Sequence, residues 1–171
     1  MSRLSKRARI AVFSVLLIVV GFGGGHFATE AFASRYELGV DMQNTTCLPW
    51  RVYLVDRDTE GRVPRRGDIV RFFSEGLEPH FKDGWSISKL VAAVPGDRVE
   101  IRADVVYVNG VLWDRLWLNG YLKAEPGAFD RAFTVAEGEV LLLATAPGSY
   151  DGRYWGTLPV SRVDGYVTPL L

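Results

Sequence analysis

Apolar and polar residues beyond position 40 alternate over short stretches or form short apolar runs, which is the spacing expected of β-strands. Almost no stretch sustains the spacing of an amphipathic helix. Glycine, proline, asparagine and aspartate separate the runs, as turn residues do. The predicted strands are 51–55, 69–73, 88–94, 98–102, 105–108, 111–113 and 139–144. The pattern predicts a mainly β domain, built as a barrel or as a folded system of sheets.

The strongest local signal is a hairpin at Asn109-Gly110, between the apolar runs 105–108 and 111–113. Both central residues of a type I′ turn need a positive φ, which asparagine and glycine adopt readily. Two other segments lack a strand pattern. Residues 74–86 are interpreted as a loop that could face a substrate, and residues 148–156 as a second loop.

The segment before residue 34 has the pattern of a membrane signal. Residues 10–25 carry no charge, and residues 1–9 hold four basic side chains and no acidic one. This arrangement is typical of a signal sequence whose N-terminus stays in the cytoplasm. Two interpretations are open. Ala31-Phe32-Ala33 has the small-x-small form of a leader cleavage site, or the segment is retained as a signal anchor that is short for a full span.

Charge and composition exclude several classes of function. The formal net charge is zero, so the chain beyond its basic N-terminus is mildly acidic and lacks the basic excess that nucleic-acid binding requires. Cys47 is the only cysteine, which rules out an intramolecular disulfide and a cysteine-based metal cluster. His26 and His80 lack ligand spacing. We therefore predict no nucleic-acid partner, no metal and no cofactor.

Three segments carry candidate chemistry, and each has a plain structural interpretation when taken alone. Cys47 lies in a polar stretch that could be an ordinary loop. Lys89 interrupts an apolar run, so it is either an edge-strand lysine that points at solvent or a buried lysine. Burial disfavours the ammonium form, and a buried lysine can act as a general base near neutral pH. Residues 149–156 could be a structural turn closed by hydrogen bonds.

Taken together, these segments resemble the signal peptidase I superfamily, and most closely its TraF-type branch of conjugative transfer peptidases. The family places its nucleophilic serine in a Thr/Ser-x-Ser-x-Pro segment just beyond the membrane helix, and its base in a lysine before a Pro-Gly-Asp turn. The matching segments are Thr45-Thr46-Cys47-Leu48-Pro49, Gly67-Asp68-Ile69-Val70, Lys89 with Pro95-Gly96-Asp97, and Asp151-Gly152-Arg153-Tyr154-Trp155-Gly156. The resemblance implies a signal-peptidase-like folded β-sheet or barrel domain after one transmembrane helix.

The resemblance also implies a role for each site residue. Cys47 takes the place of the nucleophilic serine, and Lys89 is the base that takes its proton. The oxyanion donors are the Cys47 backbone N–H and the Thr45 hydroxyl. Asp151 orients Lys89 or pins its own loop, and Arg153 pairs with a structural carboxylate. A second departure from the family is Arg51, which stands where a glycine is usual.

The implied organisation is a basic cytoplasmic N-terminus (1–9), a retained signal anchor (10–29) and a periplasmic peptidase domain (34–171), with a single pass through the inner membrane. The implied partner is a conjugative propilin or another exported precursor, which the peptidase cleaves and, in some systems, closes into a ring. Two alternatives stay open: a general type I leader peptidase, and a catalytically degenerate assembly factor of a conjugation or secretion system, which the cysteine would suit. A periplasmic thiol protein would be expected to carry a Cys-x-x-Cys motif, which is absent.

Overall fold

A computed structural model describes residues 14, 26, 29–43, 46–118 and 120–171. The chain divides into two compact units, Met1–Glu37 and Leu38–Leu171. In the first unit residues 29–35 are helical. Most of the predicted anchor (10–29) lies outside the described residues. Among those that are described, no helix combines the length and the apolar character that a membrane crossing requires.

In the described part of the chain, eleven strands form two antiparallel sheets. They are β1 Tyr36–Val40, β2 Val52–Asp56, β3 Ile69–Phe73, β4 Ser86–Ala93, β5 Arg98–Arg102, β6 Val105–Val108, β7 Val111–Arg115, β8 Arg131–Thr134, β9 Glu139–Leu143, β10 Thr157–Pro159 and β11 Gly165–Pro169. The large sheet has the order β1-β2-β11-β3-β4-β9-β10, and the small sheet the order β7-β6-β5-β8. A single helical turn, α1 (Gly152–Trp155), and a 3₁₀ turn (Val160–Arg162) complete the domain. The predicted mainly β fold is confirmed.

Strand β9 explains how the core is shared between the sheets. Leu141 and Leu143 belong to an apolar cluster with residues of the small sheet, whereas Val140 and Leu142 belong to a cluster on the opposite face of the large sheet. A strand that is buried on both faces needs apolar residues at successive positions, which is why its sequence is an unbroken apolar run. Burying one such aliphatic side chain contributes roughly 1.5–3 kcal/mol.

The hairpin prediction is confirmed by the backbone. Asn109 has a φ of 51° and Gly110 a φ of 77°, and Val108 pairs with Val111 across the turn. The Asn109 side chain adds two hydrogen bonds: its Oδ1 accepts from the Arg98 N–H at 2.8 Å, and its Nδ2 donates to Asp97 Oδ1 at 2.9 Å. Asp97 of the Pro-Gly-Asp turn also accepts from the Val94 N–H, so its carboxylate holds the turn together.

The strand predictions were incomplete. All seven predicted strands exist, with ends shifted by up to two residues, but β1, β8, β10 and β11 were not predicted. Strand β8 alternates between exposed and half-buried residues, and β10 has only three residues, so neither gives a clear apolar pattern. The prediction of an unbroken loop over 148–156 was wrong for Gly152–Trp155, which form α1 because Asp151 caps the turn.

Gly165, the first residue of β11, is required by a close approach to β2. A Cβ at this position would lie 2.7 Å from Val55 Cγ1 and 3.0 Å from the Asp56 carbonyl oxygen. At Gly39 in β1, by contrast, the nearest atom to an added Cβ would be 3.9 Å away. The two strand glycines therefore differ in whether a side chain fits.

We expect Gly165→Ala to lower the free energy of unfolding by about 1–3 kcal/mol, because the added methyl group overlaps backbone and core atoms that cannot move independently. The matched variant Gly39→Ala should change it by less than about 1 kcal/mol. Tryptophan fluorescence during urea denaturation of the full chain in detergent measures both. Equal effects of the two substitutions would contradict the close packing of β11 on β2.

Candidate active site

Two interactions fix the backbone at Cys47: the burial of the next residue and a hydrogen bond to its carbonyl oxygen. The next residue, Leu48, is buried in a cluster with Tyr53, Val55 and Ile69, which fixes the chain immediately after the cysteine. The Cys47 carbonyl oxygen accepts a hydrogen bond from the Ala146 N–H at 3.3 Å. The thiol itself is half-buried and forms no disulfide. The segment that carries Cys47 is therefore tied to the segment that follows β9.

Lys89 lies in β4, between β3 and β9, and its side chain is 0% exposed. The interpretation as an edge-strand lysine in solvent is thereby excluded. Its Cα partner on β3 is the fully buried Val70. The ring of Phe81 lies with its centroid 5.9 Å from the Lys89 Nζ. A buried amine in apolar surroundings must find its hydrogen-bond partners within the protein.

The hydroxyl of Ser149 connects Lys89 to Cys47. Lys89 Nζ donates to Ser149 Oγ at 2.7 Å, and Ser149 Oγ donates to Cys47 Sγ at 3.4 Å, an ordinary distance when sulfur is the acceptor. Ser149 is only 6% exposed. The described residues show no direct hydrogen bond between Sγ and Nζ, whereas the sequence analysis had Lys89 act on Cys47 directly. A hydroxyl both donates and accepts, so Ser149 can pass a proton between them.

Ser149 is a candidate site residue that the sequence analysis missed. It belongs to the segment 149–156, which was singled out, but only Asp151 and Arg153 were assigned roles there. A serine beside a glycine in a loop is ordinary, so composition and spacing gave no signal. Its partners come from positions that are far away in the chain, and only the folded structure brings all three together.

Asp151 and Arg153 form a buried ion pair that fixes this loop. Both side chains are at most 1% exposed. Asp151 Oδ1 accepts from the Arg153 backbone N–H at 3.1 Å and from Nε at 2.9 Å, and Oδ2 accepts from the Ala144 N–H at 2.9 Å and from Arg153 Nη2 at 2.7 Å. Neither residue hydrogen-bonds Lys89 in the described part of the chain. The observed contacts of Asp151 are those of a residue that pins the loop.

Arg153 also reaches the small sheet. Its Nη1 donates to Asp114 Oδ2 at 2.8 Å, and its Nη2 to the carbonyl oxygens of Ala144 and Ala146. Burial alone would lower the pKa of the Arg153 guanidinium, but the hydrogen bonds and charges of Asp151 and Asp114 outweigh it and raise the pKa. The guanidinium therefore stays charged, and it links β7 to the loop that carries Ser149.

Two further predictions concerned the oxyanion donor and metal binding. Thr45, the predicted side-chain oxyanion donor, lies outside the described residues. Within the described ranges, no group of three or more His, Cys, Asp or Glu side chains is arranged to hold a metal ion. The site brings together a thiol, a hydroxyl and a buried amine. A thiol can act as a nucleophile, and the hydroxyl offers its proton a route to the amine.

The chain belongs to the signal peptidase family, peptidase S26, whose family model matches residues 7–170. Among individual relatives, it is 29% identical over 154 residues to the probable signal peptidase I-2 of Synechocystis, a match that covers 88% of this chain and 66% of that protein. It is 26% identical over 194 residues to the plasmid transfer protein TraF of Escherichia coli, covering 100% of this chain and 99% of TraF. The resemblance inferred from the sequence motifs is confirmed.

Two other signal peptidases match a smaller share of this chain. The chain covers 59% of signal peptidase I of Bacillus caldolyticus, with 29% identity over 114 residues. Among solved structures, a signal peptidase I from Enterococcus faecalis is 30% identical, with a TM-score of 0.41, covering 63% of this chain and 98% of that one. The chain thus spans less than two thirds of the signal peptidases of Synechocystis and Bacillus caldolyticus, and nearly all of TraF.

We expect Ser149→Ala to slow alkylation of Cys47 by iodoacetamide at a fixed neutral pH by about fivefold, because the thiolate is the reactive form and the hydroxyl that can take the thiol proton is lost. Cys47 is the only cysteine, so the reaction reports on one site. The exposed Ser161, replaced by alanine, is the control. An unchanged rate in Ser149→Ala would show that the hydroxyl does not act on the sulfur.

Proposed function

We propose that the chain is a membrane-anchored peptidase that cleaves an exported precursor protein through the Cys47 thiol and the Lys89 amine. The observation that carries the proposal is the Ser149 hydroxyl, which lies within hydrogen-bonding distance of both the sulfur and the amine. Membership of the signal peptidase family supports peptidase chemistry at this site. A thiol in place of a hydroxyl fits the same role, because it ionises more readily.

Acylation begins with proton transfer through Ser149. The Cys47 S–H passes its proton to Ser149 Oγ while the Ser149 hydroxyl passes its own to neutral Lys89. The thiolate then attacks the scissile carbonyl carbon and forms a C–S bond. The proposed donors to the oxyanion are the Cys47 backbone N–H and the Thr45 hydroxyl. When the C–N bond breaks, the Lys89 ammonium returns the proton through Ser149 to the leaving amine, and a thioester remains on Cys47.

Deacylation runs the same relay with a second nucleophile. Water or an amine attacks the thioester carbonyl, its proton passes through Ser149 to Lys89, and the Cys47 sulfur leaves and is protonated again. Thioesters react with amines comparatively well against water. The cysteine therefore favours transfer of the acyl group to a peptide N-terminus, which would join the two ends of one chain, over simple hydrolysis.

The proposed substrate is a conjugative propilin. The plasmid transfer protein TraF matches this chain over nearly the whole length of both, whereas the signal peptidases of Synechocystis and Bacillus caldolyticus extend well beyond the matched part. A retained anchor at residues 10–29 would place the domain on the periplasmic side, beside a substrate that is cut at the membrane surface. A general leader peptidase would instead act on many exported precursors.

Cys47→Ala and Lys89→Ala should each reduce cleavage of the precursor by about 10⁴-fold or more, because the nucleophile and its base act as a unit. The exposed Lys82→Ala is the control and should retain full activity. Cleavage is measured with the full chain in membranes. In the wild-type chain, mass spectrometry of acid-quenched samples should find the precursor fragment attached to Cys47 as a hydroxylamine-sensitive thioester. Normal pilin maturation by Cys47→Ala would reject the proposal in favour of a non-catalytic assembly role.

If acyl transfer to an amine dominates, mature pilin should be lighter than the linear product by one water. Mass spectrometry of pilin isolated from cells that carry the wild-type chain measures this directly. The comparison with Cys47→Ser tests the role of the thioester, since an ester discriminates less in favour of amines and should give a larger linear fraction. A wholly linear product from the wild-type chain would reject cyclisation.

A further inference from the structure

An aromatic surface that the proposed mechanism does not use lies beside the Ser149 hydroxyl. Its three rings come from three separate segments: His80 from the β3–β4 loop, Tyr121 from the β7–β8 connection, and Tyr150 directly after Ser149. The centroid of the His80 ring is 4.2 Å from that of Tyr150 and 5.6 Å from that of Tyr121. His80 therefore connects the two tyrosines, and we term the three residues the aromatic wall.

The loop that carries His80 is tied down at its base and at its tip. At the base, the buried Ser74 hydroxyl donates to the Lys82 carbonyl oxygen at 2.6 Å. At the tip, the backbone N–H groups of His80 and Phe81 both donate to the Leu77 carbonyl oxygen at 3.1 Å, which forms a tight turn. The His80 ring is thus held in a defined position by the backbone of its own loop.

The segment that carries Tyr121 is fixed by the residue behind Tyr150. The Tyr154 ring stacks on the Tyr150 ring at a centroid distance of 5.7 Å. The Tyr154 hydroxyl accepts hydrogen bonds from the backbone N–H groups of Trp117 and Leu118 at 3.1 and 2.9 Å, just before Tyr121 in the chain. The Tyr121 side chain is nevertheless 72% exposed. An exposed ring on an anchored segment offers a preformed face to a ligand.

The aromatic wall presents flat and largely apolar faces. His80 and Tyr150 are half-buried, so part of each ring stays open beside the exposed Tyr121. Burial raises the pKa of the Tyr150 phenol, so this ring carries no charge near neutral pH. Aromatic rings prefer to pack against other rings, in offset-stacked or edge-to-face arrangements. The chemical group that fits the wall best is therefore an aromatic side chain.

The proposed reaction determines which part of a substrate meets this wall. The Ser149 hydroxyl returns a proton to the leaving amine, so the nitrogen of that amine must come within hydrogen-bonding reach of Ser149 Oγ. An amine that attacks the thioester gives its proton to the same hydroxyl and takes the same place. The residue that bears either amine thus lies next to Ser149, and the Cα of Tyr150 is only about 3.8 Å further along the chain.

We propose that the aromatic wall binds an aromatic residue at two stages: the first residue on the leaving side of the scissile bond, and the N-terminal residue of the amine that later attacks the thioester. The inference rests on the proposed function, since only acyl transfer brings both residues to the site. Tyr121 is the specificity-determining residue, because its ring is the most exposed of the three. The β3–β4 loop, interpreted from sequence as one that could face a substrate, gains this role through His80.

The first test examines the wall without any precursor. Iodoacetamide and its N-benzyl derivative both alkylate Cys47, and the benzyl ring stands on the amide nitrogen, as a residue on the leaving side would. In the wild-type chain in detergent, the benzyl reagent should react about fivefold faster, after correction for the reactivity of both reagents with a small free thiol. Tyr121→Ala should lose this preference. Mass spectrometry of the intact protein measures the rates, and Cys47 is the only cysteine.

Three further variants make the first test specific. Tyr121→Phe keeps the ring and should keep the benzyl preference. His80→Ala removes the ring between the two tyrosines and should lose the preference, as Tyr121→Ala does. Phe73→Ala, the matched control, removes an exposed aromatic ring that is not part of the wall and should behave as wild type. An absent preference in the wild type, or an equal preference in Tyr121→Ala, would overturn the inference.

The second test uses the reaction itself, with the full chain in membranes and the precursor as acyl donor. Tyr-Gly amide and Gly-Gly amide compete as attacking amines, and mass spectrometry compares the two acyl-transfer products. The wild type should form about fivefold more of the tyrosyl product, and Tyr121→Ala should form similar amounts of both. Similar amounts of both from the wild type would overturn the inference.

The inference and the proposed function can fail separately. A benzyl preference that depends on Tyr121, in a chain that cleaves no precursor, would uphold a wall that binds aromatic groups and reject the proposed function. Precursor cleavage through Cys47, with neither preference changed by Tyr121→Ala, would uphold the proposed function and reject the wall.

Discussion

An amine that has lost all contact with water must find its hydrogen bonds inside the protein, and Lys89 has one such partner among the described residues, the Ser149 hydroxyl. A protonated amine has three donors, so a single hydroxyl leaves the charged form poorly compensated. Burial of an ammonium without partners is costly, so the Ser149 hydroxyl must be held within hydrogen-bonding distance of the Lys89 amine. The strands and loops around the site can be understood from this requirement.

Three sets of contacts determine where the Ser149 hydroxyl lies. The Asp151–Arg153 pair closes the loop onto the end of β9 and reaches the small sheet through Asp114. The ring of Tyr150 holds the backbone on the other side. The carbonyl oxygen of Cys47 binds the same segment through Ala146, so the thiol and the hydroxyl are positioned by one stretch of chain. Residues outside the thiol, hydroxyl and amine thus set the distance between the Cys47 sulfur and the Lys89 nitrogen.

The sequence was most informative where local chemistry decides the structure. The Asn109-Gly110 hairpin follows from the φ values that these residues tolerate, and the apolar run of β9 follows from burial on two faces. Strands such as β8 and β10 depend on long-range pairing and carry little pattern of their own. Cys47 and Lys89 were assigned as candidates because their segments, taken together, resemble the motifs of the signal peptidase family. Ser149 was not, because its role arises only from contacts between distant segments.

The central claim is that the Lys89 amine accepts the proton of Cys47 through the Ser149 hydroxyl. The most direct measurement is the rate at which iodoacetamide alkylates Cys47 at a fixed neutral pH, which reports on one site because the chain has one cysteine. The account predicts that Lys89→Met, which removes the base and keeps the bulk, slows alkylation about tenfold, because the thiolate is the reactive form. Equal rates in the wild type and in Lys89→Met would contradict it.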